Sequence, residues 1–348
     1  MSKVLLWILI GILGFQIVYA LVKLIWRLRS EFRRRIKNDP PNVRVDREVI
    51  WRDPGDVSSL NFSDGPGGTD GSPQPPFRFL KEHGTGSNPS VSVQDAKGRN
   101  WRIKWGDEVR SESFATRFAW AVGYFVETAY FVPEGHIEGA ANLQRNSQVI
   151  DEHQRFRDAR FELDEQGIVK RFDEHSWAWN ENPFTGTREL NGLKVLVMLL
   201  SNWDNKDVRD VARGSNTAIF YYKLPEGMIE ARYLIHDWGA SMGKWGDIVQ
   251  REKWDSQGFS NESPNFVKGV VNGIVQWGYT GQRTEDATQN ISVHDIAWLY
   301  QYLGKITDQQ IEVGLRASGA TEDEISNFVP ALRMRIDQLR KIAEGSNQ

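Results

Sequence analysis

The chain has 348 residues, 40% of them hydrophobic and 26% charged, with a formal net charge of −3. That mix suits a globular protein able to bury a core, and the near-balanced charge offers no field that would draw nucleic acid. The absence of cysteine excludes disulfides, thiol nucleophiles and cysteine-ligated metals, and leaves the compartment unreadable from redox usage.

The first predicted element is apolar. Val4 to Trp26 is broken only by Gln16 and Lys23, long enough to span a bilayer. Arg27, Arg29, Arg33, Arg34, Arg35 and Lys37 follow it against the single acid Glu31, and only Lys3 precedes it. The positive-inside rule predicts a single-pass anchor over residues 1–27 with the rest of the chain cytoplasmic. The basic run would attract anionic lipid headgroups. The competing reading is export after cleavage near Ala20, where Val18-Tyr19-Ala20 offers small residues to a peptidase. Residues 28–76 read as a basic juxtamembrane segment and a tether. Gly65-Pro66-Gly67-Gly68, Gly71-Ser72-Pro73 and Pro75-Pro76 supply a flexible composition.

From about Phe77 the pattern becomes that of a folded protein. Gly84-Thr85-Gly86 forms a Gly-rich stretch whose backbone N–H groups suit a phosphate. Val91 and Val93, then Trp101, Ile103 and Trp105, alternate with polar residues around the turn Asp95 to Gly98, which predicts a hairpin with Lys104 on its second strand. Phe114, Ala115, Phe118, Ala119 and Val122 then recur at helical spacing, with Ser111 as a candidate cap and Glu112 in the first turn. His153 and His175 are too far apart for a metal triad, and no His-Glu-Xaa-Xaa-His run exists, so zinc hydrolysis is not indicated.

Leu193 to Leu200 is almost wholly apolar and predicts a buried helix. Ser-Asn-Trp-Asp-Asn-Lys-Asp follows from Ser201, then a polar insertion, then Asn216 and the β-forming run Thr217 to Tyr222. Lys223-Leu224-Pro225-Glu226-Gly227 turns the chain into a second strand, Arg232 to Ile235, which runs out into His236-Asp237-Trp238-Gly239. Residues 240–290 are rich in Gly, Asp, Ser and Trp and read as a loop-rich, functional segment. The remainder is helical. Ser292 to Leu303 carries Ile296, Leu299 and Leu303 on one face, and Thr307–Gln310 and Thr321–Glu324 have capping-box spacing. Leu332, Ile336, Leu339 and Ile342 form an apolar stripe.

This order, a strand Lys, a helix Glu, then an acid-bearing loop after a buried helix, an Asn and a hairpin ending in Asp-Trp-Gly, resembles the catalytic core of the atypical protein-kinase-like superfamily, with the secretory-pathway and toxin-type kinases the nearest in pattern. The resemblance covers about residues 80 to 240. It implies an α+β, two-lobed protein-kinase-like fold, with a small β-rich N-lobe over 77–170 and a helical C-lobe over 171–345, after one N-terminal transmembrane helix. It further implies Mg²⁺ and ATP as cofactors. Lys104, held by Glu112, would contact phosphates, with Gly84 and Gly86 covering them. Asp204 would orient the acceptor hydroxyl, and Asp237 and Asn216 would bind metal. Glu108 competes with Glu112, and Asn205 with Asn216, because Val208 to Ser215 lengthen the usual spacing. The expected function is a membrane-anchored phosphotransferase with an unidentified protein or small-molecule acceptor. The alternatives are a non-catalytic scaffold of the same fold, and an envelope protein whose acids are turn residues.

Overall fold

The computed structural model describes residues 44–84, 88–164, 168–170, 175–245 and 251–345. The anchor expected over residues 1–27, its basic flank and Gly86 lie outside the described residues. Among the described residues no helix is long and apolar enough to cross a membrane.

The chain enters through β1 (Arg47–Val49) and then crosses the stretch read as a tether. That stretch is packed. Val57 and Phe62 are fully buried, and Gln310 Nε2 donates to the carbonyls of Val57 and Leu60, at 2.9 Å each. Two of its glycines serve close approach: a Cβ would lie 2.1 Å from the Tyr130 hydroxyl at Gly67 and 2.2 Å at Gly71.

β2 (Phe77–Glu82), β3 (Ser90–Gln94), β4 (Asn100–Lys104), β5 (Ala129–Glu138) and β6 (Arg155–Leu163) close into a barrel in the order β2-β3-β4-β6-β5. The alternation read in the sequence sets the faces. Phe77, Val91, Val93, Trp101, Ile103 and Phe161 fill the interior. The register pairs Arg102 with Glu162 and Lys104 with Arg160, placing these four charges on the outer face. Glu82, at the end of β2, accepts from the amides of Gln144 (3.1 Å), Arg145 (2.7 Å) and Asn146 (2.8 Å) and from Asn146 Nδ2 (2.8 Å). The Asn146 side chain and these amides hold the carboxyl at about 2, against an ordinary 4.5. A depressed carboxyl stabilises the fold above its unfolded value and loses that contribution as pH falls toward its folded one. Glu82→Gln is therefore expected to cost about 1–2 kcal/mol at pH 7 and to flatten the fall in stability between pH 4.5 and about 2. Urea titrations across that window check it.

α1 (Glu108–Ala121) lies between β4 and β5 in sequence, and α2 (Arg188–Leu199) begins where the Thr187 hydroxyl accepts from Leu190 N. β1, β9 (Ile229–Ile235), β8 (Thr217–Lys223) and β7 (Ile168–Lys170) form a second sheet in that order, with β1 parallel to β9. α3 (Ser256–Glu262), the hairpin of β10 (Val267–Val271) and β11 (Ile274–Trp277), and α4 (Thr284–Thr288) occupy the stretch expected to be mostly loop. α5 (Val293–Leu303), α6 (Asp308–Ala317) and α7 (Glu322–Gly345) complete the chain. Ser292 and Thr307 close reciprocal capping boxes with Asp295 and Gln310.

The two-lobed protein-kinase-like fold expected from the sequence is overturned. β5 pairs back onto β2 at Phe77–Ile137 and Arg78–Glu138, so the β-rich part is a closed barrel with its own core rather than an open sheet lobe. α1 does not belong to that core. Its Phe114 and Phe118 join Phe62, Leu315 and Phe328 in the core shared with the helices, because its apolar face is wide enough to be claimed by the larger hydrophobic mass. The result is an α+β protein of barrel, second sheet and helices.

Candidate functional site

The loop after α2 carries the acid-bearing run. Asn202 Nδ2 donates to the Asp237 carbonyl at 3.1 Å, and the Asn216 amide donates to the Asp204 carbonyl. His236 N donates to Asn216 O at 2.8 Å. Asp204, Asn216 and Asp237, far apart in sequence, are thereby tied into one cluster at the exit of β9. The insertion between them does not displace Asn216. Arg209 in it bridges Asp207 and Asp286, and Arg213 pairs with Asp210 at 2.7 Å, so it folds away as an ion-paired turn. Asn205, the rival of Asn216, is held by the Arg283 backbone: its Oδ1 accepts from Arg283 N at 2.8 Å and its Nδ2 donates to Arg283 O at 3.2 Å.

Asp237 Oδ1 accepts from Gly239 N at 2.8 Å, a turn that fixes the carboxylate. Gly239 is required there, since a Cβ would come within 2.7 Å of the Glu108 side chain. The Ser111 hydroxyl seals the contact by donating to Gly239 O at 2.7 Å. Glu108, the rival of Glu112, accepts from Asn88 Nδ2 at 3.0 Å and pairs with Lys253.

The cation on the other side is Lys104. Its pairing with Glu112, implied by the resemblance, does not form. Glu112 pairs instead with Arg160, which also reaches Glu162 at 2.6 Å, and Lys104 Nζ lies 3.7 Å from Glu162. The strand register decides this, because Arg160 sits directly beside Lys104 on β6 and takes the helix acid. Arg160, Glu162 and Glu112 are all buried. Burial pushes the Lys104 amine below its ordinary value, and Arg160 adds to that, while Glu162, Asp237 and Glu127 oppose it.

Arg160 and Glu162 escaped sequence reasoning. The alternation Arg160-Phe161-Glu162, one phase shift after Arg155-Phe156-Arg157, was the available signal, being the polar face of a half-buried strand. Lys206 was also missed. It pairs with Asp204 at 3.1 Å, two residues away.

A cavity of about 400 Å³ is lined among others by Lys81, His83, Ser92, Arg102, Asp164 and His236, and among the described residues by none of Lys104, Asp204, Asn216 or Asp237. Its size falls in the range of small-molecule sites. His83 is pushed below its ordinary value by burial and by Arg102 and Lys81, which marks the wall as cationic. Gly84 is exposed, and a Cβ there would meet nothing within 4 Å, so its backbone makes no close approach that demands glycine.

Among the described residues no group of three or more His, Asp or Glu is arranged to hold a metal ion. Asp237 and Asn216 carry oxygens of the hard type that Mg²⁺ takes together with water and phosphate. The Asn202 Oδ1, buried and without a partner among the described residues, adds an unspent acceptor next to Asp237. No family model matches the chain, and no curated protein matches it.

Proposed function

We propose that this protein is a phosphotransferase that uses Mg²⁺-ATP and works at a membrane surface, its anchor being the apolar run Val4 to Trp26. The observation that carries the reading is the set of hydrogen bonds that brings Asp204, Asn216 and Asp237 together at the exit of β9. A triphosphate needs a cation for its oxygens and a carboxylate for its metal, and such transfer depends on positioning and charge neutralisation more than on covalent help from the protein. Lys104 supplies the cation, and Glu162 orients it. Arg160 stands behind it with its charge offset by Glu112 and Glu162. Asp237 and Asn216 would hold the Mg²⁺, which when bound neutralises charge on the phosphate oxygens. Asp204 orients the acceptor hydroxyl, and Lys206 beside it offsets the negative charge that gathers there.

Thermal unfolding with Mg²⁺-ATP tests the binding half. A ligand at 100 times its Kd adds about 2.7 kcal/mol, which is several degrees for a chain of this size. Stabilisation that needs both Mg²⁺ and ATP is expected; none at millimolar concentrations overturns the proposal. Incubation with ATP labelled at the γ- or the α-phosphate tests the transfer half. Protein-bound or small-molecule γ-label is expected. Transfer of α-label would make the enzyme a nucleotidyltransferase, and binding without transfer of either label would make it a scaffold.

A further inference from the structure

A second cavity, of about 390 Å³, opens where the segment after β1, the C-terminal end of α1 and the β8–β9 hairpin meet. It shares no lining residue with the first. Two features set it apart from an ordinary surface dent. Its walls are aromatic and aliphatic, with Leu60, Trp120, Phe125, Val126 and Tyr222 all left half-buried rather than packed away. Its charged groups include two guanidiniums that stack on those rings. Arg52 lies 5.4 Å and Arg232 5.1 Å from the Phe125 centroid, and Arg232 lies 3.8 Å from that of Tyr222.

The guanidiniums are only partly spent. Both bind Glu230, Arg52 through Nη2 at 2.9 Å and Arg232 through Nε at 2.7 Å, and Arg47 approaches the same carboxylate at 3.7 Å. Three cations therefore share one fully buried carboxylate. Asp53 on the rim returns one negative charge, and its Oδ1 is engaged by Gly55 N at 2.9 Å. Guanidinium edges over an aromatic and aliphatic wall are the chemistry that receives a planar ring bearing one anionic group.

We propose that this cavity is a ligand site for a small aromatic carboxylate, separate from the nucleotide site and independent of it. The ring would lie against Phe125, Tyr222 and Trp120, and the carboxylate would meet the free N–H groups of Arg52 and Arg232.

Isothermal titration of the full chain with 2-naphthoate, against its neutral counterpart 2-naphthylmethanol, tests this. One-to-one binding of the naphthoate is expected with a Kd below about 1 mM, the value that ordinary ligand efficiency gives for its size. The alcohol should bind at least about tenfold more weakly, since it forgoes a charge-assisted hydrogen bond. Arg52→Gln, at a side chain that is 52% exposed and so tolerant of change, should weaken naphthoate about tenfold and leave the alcohol unaffected. Leu60→Trp, which fills the cavity from a half-buried position, should abolish binding of both. Asp237→Asn should change neither, so failure here and failure of the nucleotide site are told apart. Absence of saturable binding, equal affinity for acid and alcohol, or affinity unmoved by both cavity variants overturns the proposal.

Discussion

Asp237→Asn is expected to lower phosphoryl transfer by roughly 10³ or more while leaving the fold intact. The side-chain oxygen that accepts from Gly239 N survives the change, so the turn at the exit of β9 keeps its shape. What goes is the negative charge that would hold a metal-bound phosphate. Two measurements together check this. The melting temperature without ligand should stay within a degree or two of the parent, and the stabilisation by Mg²⁺-ATP should vanish with the activity. A variant that keeps a tenth of the activity, or the full nucleotide stabilisation, removes Asp237 from the site. Asn205→Ala provides the contrast. Its amide serves the Arg283 backbone, so it should lower stability and leave nucleotide binding in the protein that remains folded.

Arg335→Met should be the most destabilising conservative-volume change in the helical part, costing about 3–5 kcal/mol. Arg335 lies fully buried on α7. Its guanidinium donates to Leu199 O (2.9 Å), Ser201 Oγ (2.7 Å), Ser263 Oγ (2.8 Å) and Phe259 O (3.2 Å), and stacks 3.6 Å from the Phe259 ring centroid. Methionine fills much of the space and offers no donor, so the end of α2 and the loop after α3 keep buried acceptors without partners. At about 2–4 °C per kcal/mol for domains of this size class, the melting temperature should fall by about 10 °C. A loss under 1 kcal/mol would mean that water replaces the guanidinium. Because Ser201 opens the run that carries Asp204, the folded fraction of this variant should also bind Mg²⁺-ATP more weakly, a loss a remote stability defect would not produce.

Local elements were legible where one signal dominated. Two hairpins were readable: Val91 to Trp105, from period-two alternation around Asp95 to Gly98, and Thr217 to Ile235, from β-formers around Pro225-Glu226-Gly227. α2 showed as an apolar run, α5 and α7 as apolar stripes, and the starts of α6 and α7 as capping boxes. The hairpin Val267 to Trp277 was not seen, because its glycines and exposed Val270 and Val271 mimic a loop. The stretch from Asp53 to Pro76 was misread for the same reason. Gly67 and Gly71 mark close approach to Tyr130 rather than freedom, and composition alone does not separate the two.

The sequence by itself determined which residues carry charge, which faces are apolar and where strands must turn, since these follow from local periodicity and turn chemistry. It also named Asp204, Asn216 and Asp237, whose main chains one set of hydrogen bonds joins. Only the tertiary structure decided that β5 returns to β2, that α1 joins the helical core, and that Glu112 goes to Arg160 while Lys104 goes to Glu162. The reason is physical. Barrel closure and the choice among competing ion partners depend on strand register and on which hydrophobic mass captures a helix, and both are non-local quantities that no window of the chain contains.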